Sequence, residues 1–197
     1  MKKILLLTLV LTLVVSGLAL AEQKRPDVKD GQMENPARIV LTGTLDADSP
    51  TWNRGFNNVD PPAPNCDFPL SDSSDGQYYD VFCITSTDDS PIEVIVDPTG
   101  TTIGDTHMEL YCDPFDPMSP LENAVFSDDD DGDGLLSAFL VGDGLVLSPG
   151  TQYWLVLTTF SPGDMGDFVI NTSDNVEVCG GVANENHSWS DLKGLYR

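Results

Sequence analysis

The pattern of apolar and polar residues in the middle of the chain repeats every two positions, which is typical of β-strands. It is clearest over residues 77–85 and 151–160, where apolar side chains fall on both faces. Short runs rich in Gly, Pro and Asp separate such segments, and no helical pattern precedes the C-terminal tail. We therefore predict an all-β antiparallel sandwich of about eight or nine short strands. The predicted strand segments are 38–45, 77–85, 92–96, 106–112, 121–126, 134–141, 145–147, 151–160 and 167–172, and 51–54 is a further candidate.

Residues 1–21 differ from the rest because they combine two lysines, a long apolar run and small residues at the end. This pattern is typical of a secretory signal peptide, here cleaved after Ala21, and it predicts a secreted or cell-surface protein. We expect a flexible lead over 22–37, the sandwich domain over 38–179, and a linker and tail over 180–197. No later stretch has the ~18 apolar residues that a membrane span needs.

Charge is distributed unevenly along the chain. The sequence has 32 acidic and nine basic residues, and loss of the signal peptide removes two of the bases. Between Ile39 and Ala183 only Arg54 is basic, against 26 acidic residues. Such a surface repels nucleic acid and anionic lipid and concentrates cations, so we predict no nucleic-acid partner. Adaptation for solubility explains the same composition.

The even number of cysteines in an exported chain predicts two disulfides. Four cysteines allow three pairings, and spacing alone leaves all three open. No Cys-x-x-Cys motif accompanies them, which disfavours a zinc site. The cysteines are Cys66, Cys83, Cys112 and Cys179.

The densest group of carboxylates is at residues 128–134, which contain five aspartates and two glycines. Asp129, Asp131 and Asp133 occupy positions one, three and five of a calcium loop, and a glycine follows at the sharp turn. An EF-hand needs a glutamate at position twelve, where this chain has Leu140. We predict a calcium site at these aspartates whose remaining ligands come from elsewhere; a solvated acidic turn is the alternative.

Two further aspartates complete the predicted ligand set. Asp128 adjoins the loop in sequence. Asp105 is the other, and its selection depends on an antiparallel hairpin between the predicted strands 106–112 and 121–126. If Cys112 faces Glu122, Thr106 faces Asp128, and Asp105 then lies beside the acidic turn. A register slip of two residues would remove it.

Catalytic residues are sparse. Neither His107 nor His187 accompanies a Gly-x-Ser-x-Gly nucleophile elbow, and we expect a surface or packing role for His107. Paired carboxylates hydrolyse glycosides, but with so many acids the proximity of some pair carries no information. We predict no enzymatic activity, and a secreted hydrolase is the least favoured alternative.

Aromatic residues on or near the predicted strands suggest a binding face, because β-sandwiches hold sugars by stacking them on exposed rings. Tyr153 and Trp154 point in opposite directions from one strand, so one of them is expected at the surface. We select Trp52 and Trp154 as candidate ligand-binding residues.

Five motifs in the chain occur in the order found in the bacterial pre-peptidase C-terminal domain, which this sequence resembles over about residues 76–172. They are Gln77-Tyr78-Tyr79-Asp80-Val81-Phe82, Thr106-His107-Met108-Glu109-Leu110-Tyr111, the acidic turn 128–134, Gly150-Thr151-Gln152-Tyr153-Trp154-Leu155-Val156 and Gly166-Asp167-Phe168-Val169-Ile170. The resemblance implies a jelly-roll-like sandwich, usually attached to secreted peptidases, which in some members binds calcium, collagen or polysaccharide. No peptidase domain is present here, and the cysteines are not a general feature of that family.

The C-terminal tail differs from the domain in charge. Trp189, Leu192 and Leu195 fall at helical spacing, and Lys193 and Arg197 are basic. We predict either a peptide that contacts an export or sorting factor, or a terminal segment without such a role.

Together these features predict a secreted, non-catalytic, calcium-binding sandwich that binds extracellular carbohydrate or a surface protein. A purely structural envelope or matrix protein, with calcium as its only ligand, is the alternative.

Overall fold

The structure is a computed structural model that describes residues 38–58 and 60–180. The predicted signal peptide, the predicted lead and the tail after Gly180 lie outside the described residues. Within them the predicted all-β antiparallel sandwich is confirmed, with ten strands. The strands are β1 (Val40–Leu45), β2 (Thr51–Phe56), β3 (Ser71–Ser86), β4 (Val94–Val96), β5 (Thr106–Cys112), β6 (Ala124–Asp128), β7 (Ala138–Phe139), β8 (Tyr153–Thr159), β9 (Gly166–Thr172) and β10 (Val176–Val178).

The strands form two sheets that enclose the main core. One sheet has the order β1-β9-β4-β7, and the other has the order β10-β3-β8-β5-β6 with β2 attached to β3. Phe82 of the larger sheet contacts Phe168 of the smaller one, with ring centroids 6.0 Å apart. Leu155 pairs with Phe82 on one side and with Leu110 on the other, and both leucines are fully buried. Alternation therefore places every second residue of these strands in the core.

A third layer covers the outer face of the larger sheet. Only residues 79–84 of the 16-residue β3 pair with β8, whereas its first half pairs with β2. The indole N–H of Trp52 in β2 donates to the hydroxyl of Thr158 in β8 (3.2 Å), which places β2 over this face. We call β2 together with residues 71–78 the hairpin layer.

Several predicted boundaries are wrong where backbone pairing overrides side-chain pattern. Residues 71–76 are polar and precede the predicted strand 77–85, yet their backbone pairs with β2. The predicted strand 121–126 is shifted to Ala124–Asp128. The predicted strand 145–147 is absent from the described strands, although an isolated bridge pairs Pro91 with Val146.

The two disulfides are confirmed, and they pair Cys66 with Cys112 and Cys83 with Cys179. Cys83–Cys179 fastens the edge strand β10 to β3, where the Cys179 amide also donates to the Cys83 carbonyl. Cys66–Cys112 fastens the proline-rich segment after β2 to the end of β5. Each bridge stabilises the fold by about 2–4 kcal/mol. Within residues 38–58 and 60–180, no helix is long and apolar enough to cross a bilayer.

Candidate functional site

The acidic loop is a tight reversal of the chain. The amide of Gly132 donates to the carbonyl of Leu136 (2.8 Å), and the amide of Leu136 donates to the carbonyl of Asp133 (3.3 Å). Gly134 has φ 73°, the left-handed conformation that glycine adopts without strain. The predicted strand over 134–141 is therefore wrong, because these bonds turn the chain back on itself and leave only β7 as strand.

Asp128 fastens the loop to the smaller sheet. It ends β6, is 5% exposed, and accepts hydrogen bonds at Oδ2 from the amides of Ala138 (2.7 Å) and Asp131 (3.3 Å). Burial raises the pKa of Asp128 to about 6, and the charge of Asp131 acts in the same direction. One of its oxygens is thus used within the protein rather than turned toward solvent.

Asp129 points inward, unlike the aspartates that follow it. Its side chain is 15% exposed, and its Oδ1 faces Nδ1 of His107 at 3.7 Å, an ion-pair distance rather than a hydrogen bond. Its carbonyl accepts from the Ser137 hydroxyl (3.0 Å), which also contacts the hydroxyl of Thr106 in β5 (3.1 Å). The first predicted ligand of the loop is therefore directed at a buried imidazole.

His107 lies between two carboxylates on the outer face of β5. Its Nε2 is 3.3 Å from Oε1 of Glu109, and both side chains are fully buried. The ring of Phe56 in the hairpin layer stacks on the imidazole, with centroids 5.7 Å apart at 30°. Neither ring nitrogen makes a hydrogen bond within the described residues, so ion pairing with Glu109 and Asp129 compensates their burial.

Arg54 adds a second cation beneath the hairpin layer. It is 1% exposed and donates to the carbonyls of Gly55 and Phe160, both at 3.1 Å. Its guanidinium lies 4.9 Å from the ring centroid of Phe160 and 5.6 Å from that of Phe56, within cation–π range. We call Arg54, His107, Glu109 and Asp129 the buried charge cluster.

The two carboxylates of this cluster stabilise both of its cations. Burial alone lowers the pKa of His107, but Asp129 and Glu109 outweigh it and raise the value above its usual range. Burial likewise lowers the pKa of Arg54, against the stabilising charges of Glu109, Asp129 and Asp105. The imidazole is thus stabilised as a cation by the carboxylates on its two sides.

Tyr111 extends the polar contacts away from the loop. Its hydroxyl lies between the Glu109 carboxylate and the carbonyl of Pro120, which it approaches to 2.7 Å. Burial and the charge of Glu109 raise the pKa of Tyr111 well above its ordinary value, so the phenol stays protonated. A continuous line of buried polar groups therefore runs from Asp129 to the segment around Pro120.

The predicted hairpin register is wrong by two residues. Met108, not Thr106, faces Asp128, and an irregularity after Leu110 brings Tyr111 opposite Ala124. Asp105 nevertheless lies near the loop: burial raises its pKa, followed by the charges of Asp129 and Asp164. The Thr106 amide donates to the Leu135 carbonyl (3.1 Å), which brings the loop beside Asp105 in place of the predicted pairing.

The remaining aspartates of the loop face solvent. Asp130, Asp131 and Asp133 are exposed, whereas Asp128 and Asp129 are turned inward. In the part of the chain that the structure describes, no three acidic, histidine or cysteine side chains converge as a ready metal site. The donors are hard oxygens of the kind calcium prefers, and three of the carboxylates are exposed, so the residue types fit the ion although their arrangement does not enclose one.

The two tryptophans proposed for ligand binding lie in different environments. Trp52 is 3% exposed and packs against Tyr79, Tyr111 and Phe115, so its ring is covered and cannot serve as a stacking surface in this conformation. Trp154 is half-buried, and its indole N–H donates to Asp113 (2.9 Å). Trp154 remains as the candidate platform.

The sequence-based search missed the buried charge cluster. The surface alternative for His107 is wrong, since the residue is fully buried. One signal was present: in β5 a histidine and a glutamate alternate with apolar residues, and Arg54 is the one base in a long acidic stretch. A charged residue in such positions is buried only when it is paired.

Comparison of the chain with protein-family models, with curated proteins and with solved structures finds no match. The resemblance to the pre-peptidase C-terminal domain therefore stays a prediction.

Proposed function

We propose that this protein is a secreted, non-catalytic β-sandwich that binds calcium at its acidic loop and binds extracellular carbohydrate or a surface protein. The two disulfides support an oxidising, extracellular compartment. The disulfides also make the sandwich a rigid scaffold on which loops can present a binding surface.

The observation that carries the calcium proposal is uncompensated negative charge around the loop. Asp128 is buried and Asp105 is half-buried, and their burial and the charges of nearby carboxylates raise the pKa of both. Within the described ranges the arginines are Arg38 and Arg54, and neither is free: Arg54 is buried, and Arg38 lies near Glu93 and Asp174. His107 is buried as well and faces Glu109 and Asp129. A divalent cation relieves such repulsion through oxygen ligands.

A thermal melt with calcium and with chelator tests this proposal. With a dissociation constant of about 10⁻⁴ M, 1 mM calcium stabilises the fold by about 1.4 kcal/mol, or roughly 3–6 °C in melting temperature. Replacing Asp131 and Asp133 by Asn should abolish the gain without touching His107, and adding Asp129→Asn should not restore it. Asp67, Asp75 and Asp89 are exposed acids outside the loop, and their replacement by Asn is the matched charge control. Identical melts with and without calcium would refute the calcium half.

The binding half is tested separately with a glycan array and with the Trp154→Ala variant. Loss of glycan binding in that variant would support a stacking site beside Asp113. The burial of Trp52 favours the competing structural role, in which the ion is the only ligand. Absence of binding to every glycan and to every extracellular protein probed would establish that role instead.

A further inference from the structure

A surface depression of about 330 Å³ lies between the hairpin layer and the loop that connects β5 to β6. Asn53 and Asp72 line it from the two strands of the hairpin layer, and residues 118–122 line it from the loop between β5 and β6. This volume lies at the lower end of the range for ligand sites, roughly 300–1,000 Å³. The depression is distinct from the acidic loop and from Trp154.

Residues 118–122, which form one side of the depression, are fixed by contacts with β5 and by hydrogen bonds within their own loop. The hydroxyl of the fully buried Tyr111 contacts the carbonyl of Pro120 (2.7 Å). The amide of Glu122 donates to Ser119 (3.0 Å), and that of Ser119 donates to Asp116 (2.9 Å). The Cys66–Cys112 disulfide fixes the end of β5 from which this loop departs. A surface preorganised in this way loses little conformational entropy when it binds.

One wall of the depression is apolar and faces water. Met118 is 86% exposed and Leu121 is 41% exposed. Leu121 packs against Gly55 of the hairpin layer, where an added Cβ would lie 3.1 Å from the leucine side chain and 2.8 Å from Leu70. The glycine thus allows the loop to close on the hairpin layer and leaves the outer part of Leu121 and the whole of Met118 available to a partner.

The other lining residues are acidic or neutral. Asp72 and Glu122 are exposed, and no ion pair links either of them to Arg38 or Arg54, the arginines among the described residues. A ligand that suits this lining carries a positive charge and an apolar stem. Lysine combines both, since its four methylene groups pack on apolar surface while the compact ammonium remains in water near carboxylates.

We propose that this depression binds a lysine side chain of an extracellular polypeptide, with the stem on Met118 and Leu121 and the ammonium facing Asp72 and Glu122. The inference deepens the binding half of the proposed function by naming a protein partner, and it does not depend on calcium. Exposed ion pairs are weak, so the site is expected to bind a single lysine weakly and to gain from salt-sensitive charge attraction.

The test is an NMR titration of the ¹⁵N-labelled mature protein with the peptide acetyl-Leu-Lys-Leu-amide, in chelator and again in calcium. The matched ligand is acetyl-Leu-Gln-Leu-amide, which has no charge. We expect the lysine peptide, and not the glutamine peptide, to shift the amides of Asn53, Asp72 and residues 118–122. The variant Asp72→Asn/Glu122→Gln should weaken binding about tenfold, and Met118→Ser about threefold.

A charge-matched variant separates a built site from the acidity of the whole domain. Asp131→Asn/Asp133→Asn removes the same charge at the acidic loop and should leave peptide binding unchanged. Equal loss in both double variants, equal binding of the glutamine peptide, or shifts that bypass the depression would each overturn the inference. Glycan binding without peptide binding would also overturn it while leaving the proposed function intact, whereas peptide binding without calcium stabilisation would refute only the calcium half.

Discussion

Along β5 the two faces of the larger sheet are equally buried but differ in chemistry. On the inner face, Leu110 of β5 packs beside Leu155 of β8 in the core between the sheets. On the outer face, His107 and Glu109 of the same β5 are also fully buried, beneath the hairpin layer. Alternation along one strand thus produces an apolar core on one side and the buried charge cluster on the other.

The two faces are therefore stabilised in different ways. Truncation of an apolar side chain costs transfer free energy and leaves a cavity, and the loss is graded by size. Removal of one charge from a buried group leaves its partners desolvated and uncompensated, which costs more than the pair itself contributed. The outer face is therefore the one where single substitutions should have the largest and most pH-dependent effects.

Replacing His107 by Leu is expected to have the largest effect, because it leaves Glu109 and Asp129 without the cation between them. We expect a loss of about 3–5 kcal/mol in the free energy of unfolding at pH 6, measured by urea denaturation. The raised pKa of His107 means that its stabilisation is complete below pH ~6.5 and is lost as the pH rises through the folded-state value. The variant should therefore lose stability mainly at low pH and approach the parent protein at high pH.

Leu155→Ala on the inner face is the control for that substitution. It is expected to cost about 2–5 kcal/mol at every pH, because no titrating group is removed. Parallel pH profiles for the two variants would contradict the assignment of charge compensation to the outer face.

Asp128→Asn is expected to have the next largest effect on the free energy of unfolding. It should stabilise the protein, whereas His107→Leu destabilises it. The folded-state pKa of Asp128, about 6, lies above the ordinary aspartate value of 3.8, so the folded protein binds the proton more tightly than the unfolded chain. Stability from this group is therefore full below pH ~3.8 and falls by up to ~3 kcal/mol as the pH rises through about 6. Asp128→Asn keeps an acceptor for the Ala138 amide and should stabilise the protein at pH 7 but not at pH 4.

Thermal melts across this pH range in chelator measure the effect, since calcium would mask it. Asp131→Asn is the second variant to measure, because the charge of Asp131 also raises the pKa of Asp128. Its removal should lower that pKa and reduce the loss of stability between pH 4 and pH 7. A destabilised Asp128→Asn protein at pH 7 would show that the carboxylate is held ionised in the fold.

The inner face is the part of the molecule that sequence predicts best. Residues 106–112 and 151–160 alternate clearly, and both form strands of the larger sheet close to the expected bounds. The disulfide count was predicted as well, whereas the pairing needed three-dimensional proximity of residues 46 and 96 positions apart. Local periodicity predicts where the strands lie, but it does not predict which strands or cysteines pair.

The outer face is predicted poorly because its cause is not local. Residues 71–76 have the composition of a loop and become strand only through pairing with β2. That pairing buries His107. The sequence around His107 does not reveal this burial, because β2 is distant from β5 along the chain. Similarly, Trp52 is an aromatic residue on a strand near the domain surface, but the layer to which it belongs turns it inward onto Thr158.

The smallest effect concerns the attachment of the hairpin layer, and Trp52→Phe is the substitution that isolates it. Phenylalanine keeps an aromatic ring against Tyr79 and Phe115 but loses the N–H that donates to Thr158, at a cost of about 1–2 kcal/mol. If the hairpin layer opens as a unit, hydrogen exchange should accelerate at the amides of β2 and not at those of β8, because only the former depend on that contact. Equal acceleration in both strands would mean that the layer and the sheet unfold together, so the two faces would differ in chemistry but not in cooperativity.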